Sequence, residues 1–297
     1  MSETIFEEII KQKDEKSLLT SIELIDDFSA NVSLIPYFDR ISLEILYFLN
    51  RCLYGEEQVY HPNYLVWTKA TCSLGTPIPY NEMFSKEELL VVQKSFFDQL
   101  WYNRFSDFVK FSDVNKLLTF PKRPDLSKTI NVDCSYHRDK LSSFQGTFKD
   151  EIAGVIDAIS PLLIETLTAF YEKAADKKAQ EGEVKNSESL RMFKNLIYHM
   201  FAQKKDNGYF PTLKVGAGVH AAVRWDKQRL FKENDFQDFT HAQAAIPYCD
   251  IFLTEKPLKH LLSTQSLAYD KEYNCTIVAT PEESISFIKQ TVANKAN

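Results

Sequence analysis

An α/β fold is what this sequence predicts: parallel strands flanked by helices, with a large helical N-terminal elaboration. Three observations predict it. Two short apolar runs near the C-terminus, Asp250 to Thr254 (DIFLT) and Cys275 to Thr280 (CTIVAT), have the length and composition of buried strands. A helical segment around Leu258 to Ser263 separates them and another helix follows, and strand, helix, strand, helix at this spacing implies a right-handed βαβ unit. The start of the chain, in contrast, repeats its apolar residues at helical spacing.

In chain order, Ile5 to Ile10, Leu18 to Ile25 and Ile41 to Leu49 read as helices, with Pro36 separating the second from the third. Tyr54 to Tyr80 is irregular and carries Pro62, Pro77 and Pro79. Ser85-Lys-Glu-Glu then supplies a capping box for a long aromatic helix running to about Phe111. Its stripe of Phe96, Phe97, Leu100, Trp101, Phe105 and Phe108 reads as core packing and not as a cofactor box. Lys122 to Lys140 is loop-like, with one candidate strand at Ile130 to Val132.

A second long helix begins near Phe148 and passes Glu151, Val155, Ile159 and Leu163, with a bend at Pro161. Lys173 to Ser189 is a solvated helix end and loop. Thr280-Pro-Glu-Glu places an N-cap, a proline at the first helical position and a glutamate at the third, which opens a final helix through Ile285 and Ile288. The chain therefore divides into a mainly helical part, residues 1–145, and an α/β part, residues 146–297.

At 297 residues and 44% apolar content the chain can bury a sizeable core. A formal net charge of −6 argues against wholesale wrapping of nucleic acid but leaves room for a local basic patch. The five cysteines, Cys52, Cys72, Cys134, Cys249 and Cys275, show neither a C-x-x-C pair nor ligand-like spacing to histidines, which suits a reducing cytoplasm. The acidic start MSETIFEEIIKQKDEK lacks the basic and apolar regions of a signal peptide, and no long apolar run predicts a membrane span.

The richest stretch is Asn234 to Lys256, NDFQDFTHAQAAIPYCDIFLTEK. Asp235 and Asp238 open a helix whose alanines at 242, 244 and 245 permit close packing, and the strand that follows ends in Thr254 and Glu255. Ligands of open α/β sheets bind beyond the carboxyl ends of the strands, so these acids would share one rim. A structural reading stands beside this one: Asp235 as the N-cap and Asp238 as a charge favouring the positive helix end.

This segment resembles the C-terminal half of a PIN-domain nuclease. Asp238 matches the aspartate that opens the small-residue helix, Ala242 and Ala245 its alanines, and Thr254 the strand-end threonine. Lys256 stands where the family has its next aspartate, with Glu255 as the neighbouring substitute. Phe148-Lys-Asp-Glu-Ile-Ala-Gly-Val is similar to the family's glutamate-bearing helix and nominates Glu151. A first aspartate should end an N-terminal strand: Asp26 or Asp27 in Ile22-Glu-Leu-Ile-Asp-Asp, or Asp133 after Ile130-Asn-Val, with Asp26 preferred.

The resemblance covers residues 148–297 and implies a PIN-like parallel sheet, Mg²⁺ or Mn²⁺ held by Asp26, Glu151, Asp238 and Glu255, and Asp235 as a further catalytic acid. Hard carboxylate oxygens suit such ions, which activate water and neutralise charge on phosphate. It also implies a ribonuclease acting as a toxin or antiviral defence effector, and with it an inhibitory partner protein or a homo-oligomer.

Next to the acids, the basic run from Val223 to Lys232 carries Arg224, Lys227, Arg229 and Lys232 with Trp225. Cations grip phosphates and an indole stacks a base, which suits single-stranded nucleic acid, RNA ahead of DNA. An ordinary solvated helix anchored by Trp225 is the structural alternative. His241 lies one turn beyond Asp238, placed to contact phosphate or simply to hydrogen-bond in the fold. Gly216 and Gly218 lack the third glycine of a dinucleotide fingerprint. Two rival functions remain: a non-catalytic PIN-like scaffold, favoured by Lys256, and a metal-dependent phosphatase of small nucleotides.

Overall fold

The computed structural model describes residues 1–55, 59–73, 78–111, 124–180, 182–185 and 187–295. The chain forms two compact units, one of residues 1–43 and 60–124 and the other of 44–59 and 125–297.

In the first unit, α1 (Glu3–Ile9) and α2 (Glu15–Ser29) precede β1 (Val32–Leu34) and the start of α3 (Tyr37–Tyr54). Asp14 caps α2 by accepting from the Ser17 N–H at 2.8 Å, and Ala30 ends it in the left-handed region at φ 48°. Leu18, Ile22 and Asp26, at successive i+4 positions, form its buried face. After α4 (Pro62–Leu65), β2 (Trp67–Lys69) pairs antiparallel with β1, Ser33 opposite Thr68. α5 (Ala70–Ser73), α6 (Lys86–Tyr102) and α7 (Phe105–Phe111) complete the described unit.

The capping box at Ser85 and Glu88 forms as the sequence predicts. The expected single helix to Phe111 does not. The chain turns extended at Asn103 because the buried Asp26 carboxylate accepts the N–H groups of Phe105 and Ser106, at 3.0 and 2.8 Å, and starts a separate helix there. The aromatic stripe is not the core element expected either. α6 fully buries nothing, Trp101 is exposed, and Phe105 in α7 supplies the buried ring; the Phe108 side chain lies outside the described residues.

The second unit is built around a helix. α12 (Pro211–Trp225) is buried along almost its whole length, from Pro211 to Val223. α8 (Ser127–His137), α9 (Phe144–Ala158), α10 (Ser160–Ala175) and α11 (Glu188–Ala202) precede it. α13 (Asp235–Ala245), β3 (Ile251–Leu253), α14 (Lys256–Leu262), α15 (Tyr269–Glu272), β4 (Thr276–Val278) and α16 (Pro281–Lys295) follow. α9 and α13 both pack on α12. Small residues let other elements approach α12 closely: a Cβ at Gly216 would lie 2.8 Å from Gln243 Oε1 on α13, and one at Gly218 would lie 1.9 Å from the buried Tyr269 hydroxyl on α15. The bend foreseen at Pro161 falls between α9 and α10, which meet at 61° around Ile159.

At the entry to α12, the fully buried Glu44 accepts from the Thr212 N–H at 3.1 Å and from the hydroxyls of Thr212 and Tyr248. A carboxylate there satisfies an otherwise orphaned donor and meets the positive end of the helix.

The expected α/β fold with a PIN-like parallel sheet is overturned. The structure is mostly helical (66%), with four short strands in two small sheets among the described residues. β3 and β4 do pair in parallel, Phe252 opposite Ile277, and the Thr254 N–H extends the ladder to Val278 O at 2.9 Å. Three-residue strands cannot form a sheet core without further partners, and the segments expected to supply them are helical. Ile22 to Asp27 lies inside α2, and Ile130 to Val132 inside α8, where Ile130 and Cys134 turn one face to the core. Among the described residues no single helix is long and apolar enough to cross a membrane; the bent pair α9 and α10 passes that test together, but buries Phe148, Ile152, Ile156 and Leu163 within the protein.

Candidate functional site

A cleft of about 890 Å³ opens between the segment 226–234, the start of α13 and the start of α14. It is lined by Asp226, Glu233, Asp235, Asp238 and Glu255, by Arg229 and Lys232, and by His260; five carboxylates against two cations leave a formal charge of −3 with His260 neutral. Leu230, Phe239, Pro257 and Leu258 form its apolar wall.

Each charged group has a local cause. α13 starts after Asn234 with Asp235 and Asp238 in its first turn, where acids oppose the helix dipole favourably. Asp235 is buried and accepts the Lys232 N–H at 3.0 Å and the Arg229 guanidinium at 3.3 Å, so its role is to hold the preceding turn. Asp238 is half-buried and faces the cleft. Glu255 precedes α14 in an extended conformation, yet its side chain does not cap that helix and makes no hydrogen bond or ion pair among the described residues. It remains exposed at the cleft.

The cleft thus brings together four residues expected from the sequence, Asp235, Asp238, Glu255 and Arg229. Other expected members go elsewhere. Glu151 is ion-paired with Arg224, and neither lines the cleft. Arg224 instead faces a small adjoining pocket with Asn131 and Cys134. Lys227 is exposed outside the cleft lining, Thr254 serves the strand ladder, and His241 is half-buried on α13. Asp26 belongs to the first unit, where it caps α7 and lies 3.8 Å from Arg104, while Asp27 pairs with Arg104 at 2.6 Å. Asp133 lies on the exposed side of α8 near His137. His260, Asp226 and Glu233 were missed; the only signal was their closeness in sequence to Glu255 and the basic run.

Within the second unit Glu151 does not join Asp238 and Glu255 in the cleft, Asp26 belongs to the other unit, and the described residues contain no group of three or more His, Cys, Asp or Glu placed to hold a metal. Asp238 and Glu255 both line the cleft. Mg²⁺ is commonly held by one or two carboxylates and completes its shell with water and substrate phosphate.

Behind the cleft wall, His220 sits among Phe231, Phe236 and Phe239, with ring centroids 5.5, 6.1 and 5.3 Å away. Burial among these rings pushes its pKa below 6.5, with Glu151 and Asp235 pulling upward and Arg224 downward. Folding therefore favours the neutral imidazole. Its stabilising contribution is fully present above pH 6.5 and is lost as pH falls through the folded pKa. Urea unfolding of His220→Phe should lose less stability between pH 7.5 and pH 5 than the parent; equal losses would show that other groups govern the acid limb.

Compared with models of known families, with curated proteins and with solved structures, the chain matches none.

Proposed function

We propose that the cleft hydrolyses phosphodiester bonds of single-stranded nucleic acid, RNA in preference to DNA, in a reaction that depends on Mg²⁺ or Mn²⁺. The observation that carries this reading is the charge layout: an excess of carboxylate with Arg229 and Lys232 beside it. A net acidic cleft repels a polyanion unless a cation intervenes, and two cationic side chains beside the acids give the flanking phosphates a grip. Asp238 and Glu255 would hold the ion, which when bound supplies charge neutralisation at the attacked phosphate and a more acidic water. Arg229 and Lys232 bind and orient the strand. Leu230, exposed at the cleft, and Trp225, exposed at the end of α12, offer apolar surface to unstacked bases.

The likeness of residues 234–255 to the PIN nuclease motif supports the chemistry, and a toxin or defence role is the setting it implies. A non-catalytic binding module is the second reading. One observation favours it: Glu151 and Asp235 are already ion-paired.

The test incubates the purified chain with labelled single-stranded RNA and DNA in Mg²⁺, Mn²⁺ or EDTA. Cleavage should need the metal, and binding should weaken in EDTA. Neutralising Arg229 and Lys232 should flatten the salt dependence of binding by roughly one logarithmic unit for each lost phosphate contact. Metal-independent binding without cleavage would select the non-catalytic module, and neither binding nor cleavage would reject both.

A further inference from the structure

We propose that Asn131 is a positioning residue of the cleft, whose carboxamide fixes the centre of segment 226–234 and thereby sets where Arg229 and Lys232 meet the substrate. The inference deepens the reading above and rests on it for the identity of the substrate.

Segment 226–234 consists of two tight turns. In the first, Asp226 accepts from the Arg229 N–H through its carbonyl and from the Gln228 N–H through its side chain, both at 3.0 Å. In the second, the Asp235 N–H donates to Lys232 O at 3.1 Å while the Asp235 carboxylate accepts the Lys232 N–H at 3.0 Å. Phe231 lies between them, and neither turn uses its backbone. Its N–H donates to Asn131 Oδ1 at 2.9 Å and its carbonyl accepts from Asn131 Nδ2 at 2.8 Å, across 100 residues of sequence.

A carboxamide carries a donor and an acceptor in one plane, as a peptide group does, so this pair of bonds replaces a strand partner that the segment lacks. Asn131 is well anchored for the task. Its neighbours on α8, Ile130 and Cys134, pack against the core of the unit, and the buried Phe231 ring stacks on Phe236 at 5.8 Å and 9°. The segment is thus fixed at its middle, with Arg229 two residues before the clamp and Lys232 one residue after it, both lining the cleft. Loosening the clamp should free both cations while leaving Asp238 and Glu255 on their own elements.

The experiment compares parent, Asn131→Ala and Asn131→Asp as full chains, by amide hydrogen exchange and by steady-state cleavage of single-stranded RNA. In Asn131→Ala, exchange across 226–234 should rise by about tenfold, the worth of one to two neutral hydrogen bonds, while α12 keeps its protection. KM should rise by a similar factor of about ten with kcat within about twofold, because positioning is lost and chemistry is not. Asn131→Asp keeps the size but sets a carboxylate oxygen against the Phe231 carbonyl; it should behave alike, and it replaces the alanine variant if that fails to fold. Parental exchange across 226–234 in a folded variant overturns the proposal, as does a fall in kcat at unchanged KM. If the parent cleaves no RNA, the reading of the cleft fails, and exchange alone decides the role of Asn131.

Discussion

Asp238→Asn should lower metal-dependent cleavage of single-stranded RNA by about a hundredfold or more, the scale expected when a metal-holding carboxylate is lost. The side chain sits in the first turn of α13 and faces the cleft, so the substitution keeps shape and helix geometry and removes one negative charge. The helix-dipole part of the stability lost with this charge is about 0.3–1 kcal/mol, and a melting curve measured alongside separates loss of the ion from loss of the fold. Glu255→Gln should give a comparable loss of rate, since it removes the other carboxylate proposed to hold the ion, and should leave the fold intact because its side chain makes no hydrogen bond or ion pair among the described residues. Raising Mn²⁺ should recover part of the rate in either variant, as weaker binding is offset by mass action. Full activity in purified Asp238→Asn would remove this acid from the chemistry and with it the proposed role of the cleft.

What could be read in the sequence follows the range of the interactions involved. Local signals worked: the capping box at Ser85 and Glu88, the bend near Pro161 and the parallel run of DIFLT with CTIVAT all depend on residues close in sequence or on strongly patterned ones. The fold class did not follow, because a βαβ pattern shows that two strands pair and says nothing of how many more join them. The central element is α12, whose Gly, Ala and Val content is compatible with buried strand or helix; its close approach to Gln243 and Tyr269 joins residues distant in sequence, which no local pattern records.

The site divides in the same way. Asp235, Asp238 and Glu255 converge because α13, β3 and the start of α14 are consecutive, so a motif of about twenty residues carries its own geometry. Glu151 and Arg224 were expected in separate roles, one on metal and one on substrate, yet they pair with each other. Opposite charges on two packed helices, α9 and α12, satisfy one another when no ligand competes. Asp26 is engaged within its own unit: inside α2 its carboxylate accepts two orphan N–H groups of α7.

Glu44→Ala should destabilise the second unit by about 3 kcal/mol or more, through three partners left without their acceptor. The Thr212 N–H belongs to the first turn of the buried helix α12 and finds no intrahelical acceptor, while the hydroxyls of Thr212 and Tyr248 donate to the same carboxylate oxygen. Water cannot readily replace Glu44, which is fully buried. For a chain of this size the loss corresponds to roughly 5–10 °C in Tm. Glu44→Gln keeps a carbonyl oxygen where these donors meet and should retain much of the stability, so the contrast between the two separates hydrogen bonding from charge. A double-mutant cycle with Tyr248→Phe measures the shared part directly, because residues joined by one hydrogen bond are expected to be non-additive. Since α12 carries Gly216 against α13 and ends at the segment that walls the cleft, the same variant should also weaken substrate binding near its melting range. An unchanged Tm in Glu44→Ala would mean that the entry to α12 is satisfied without this carboxylate.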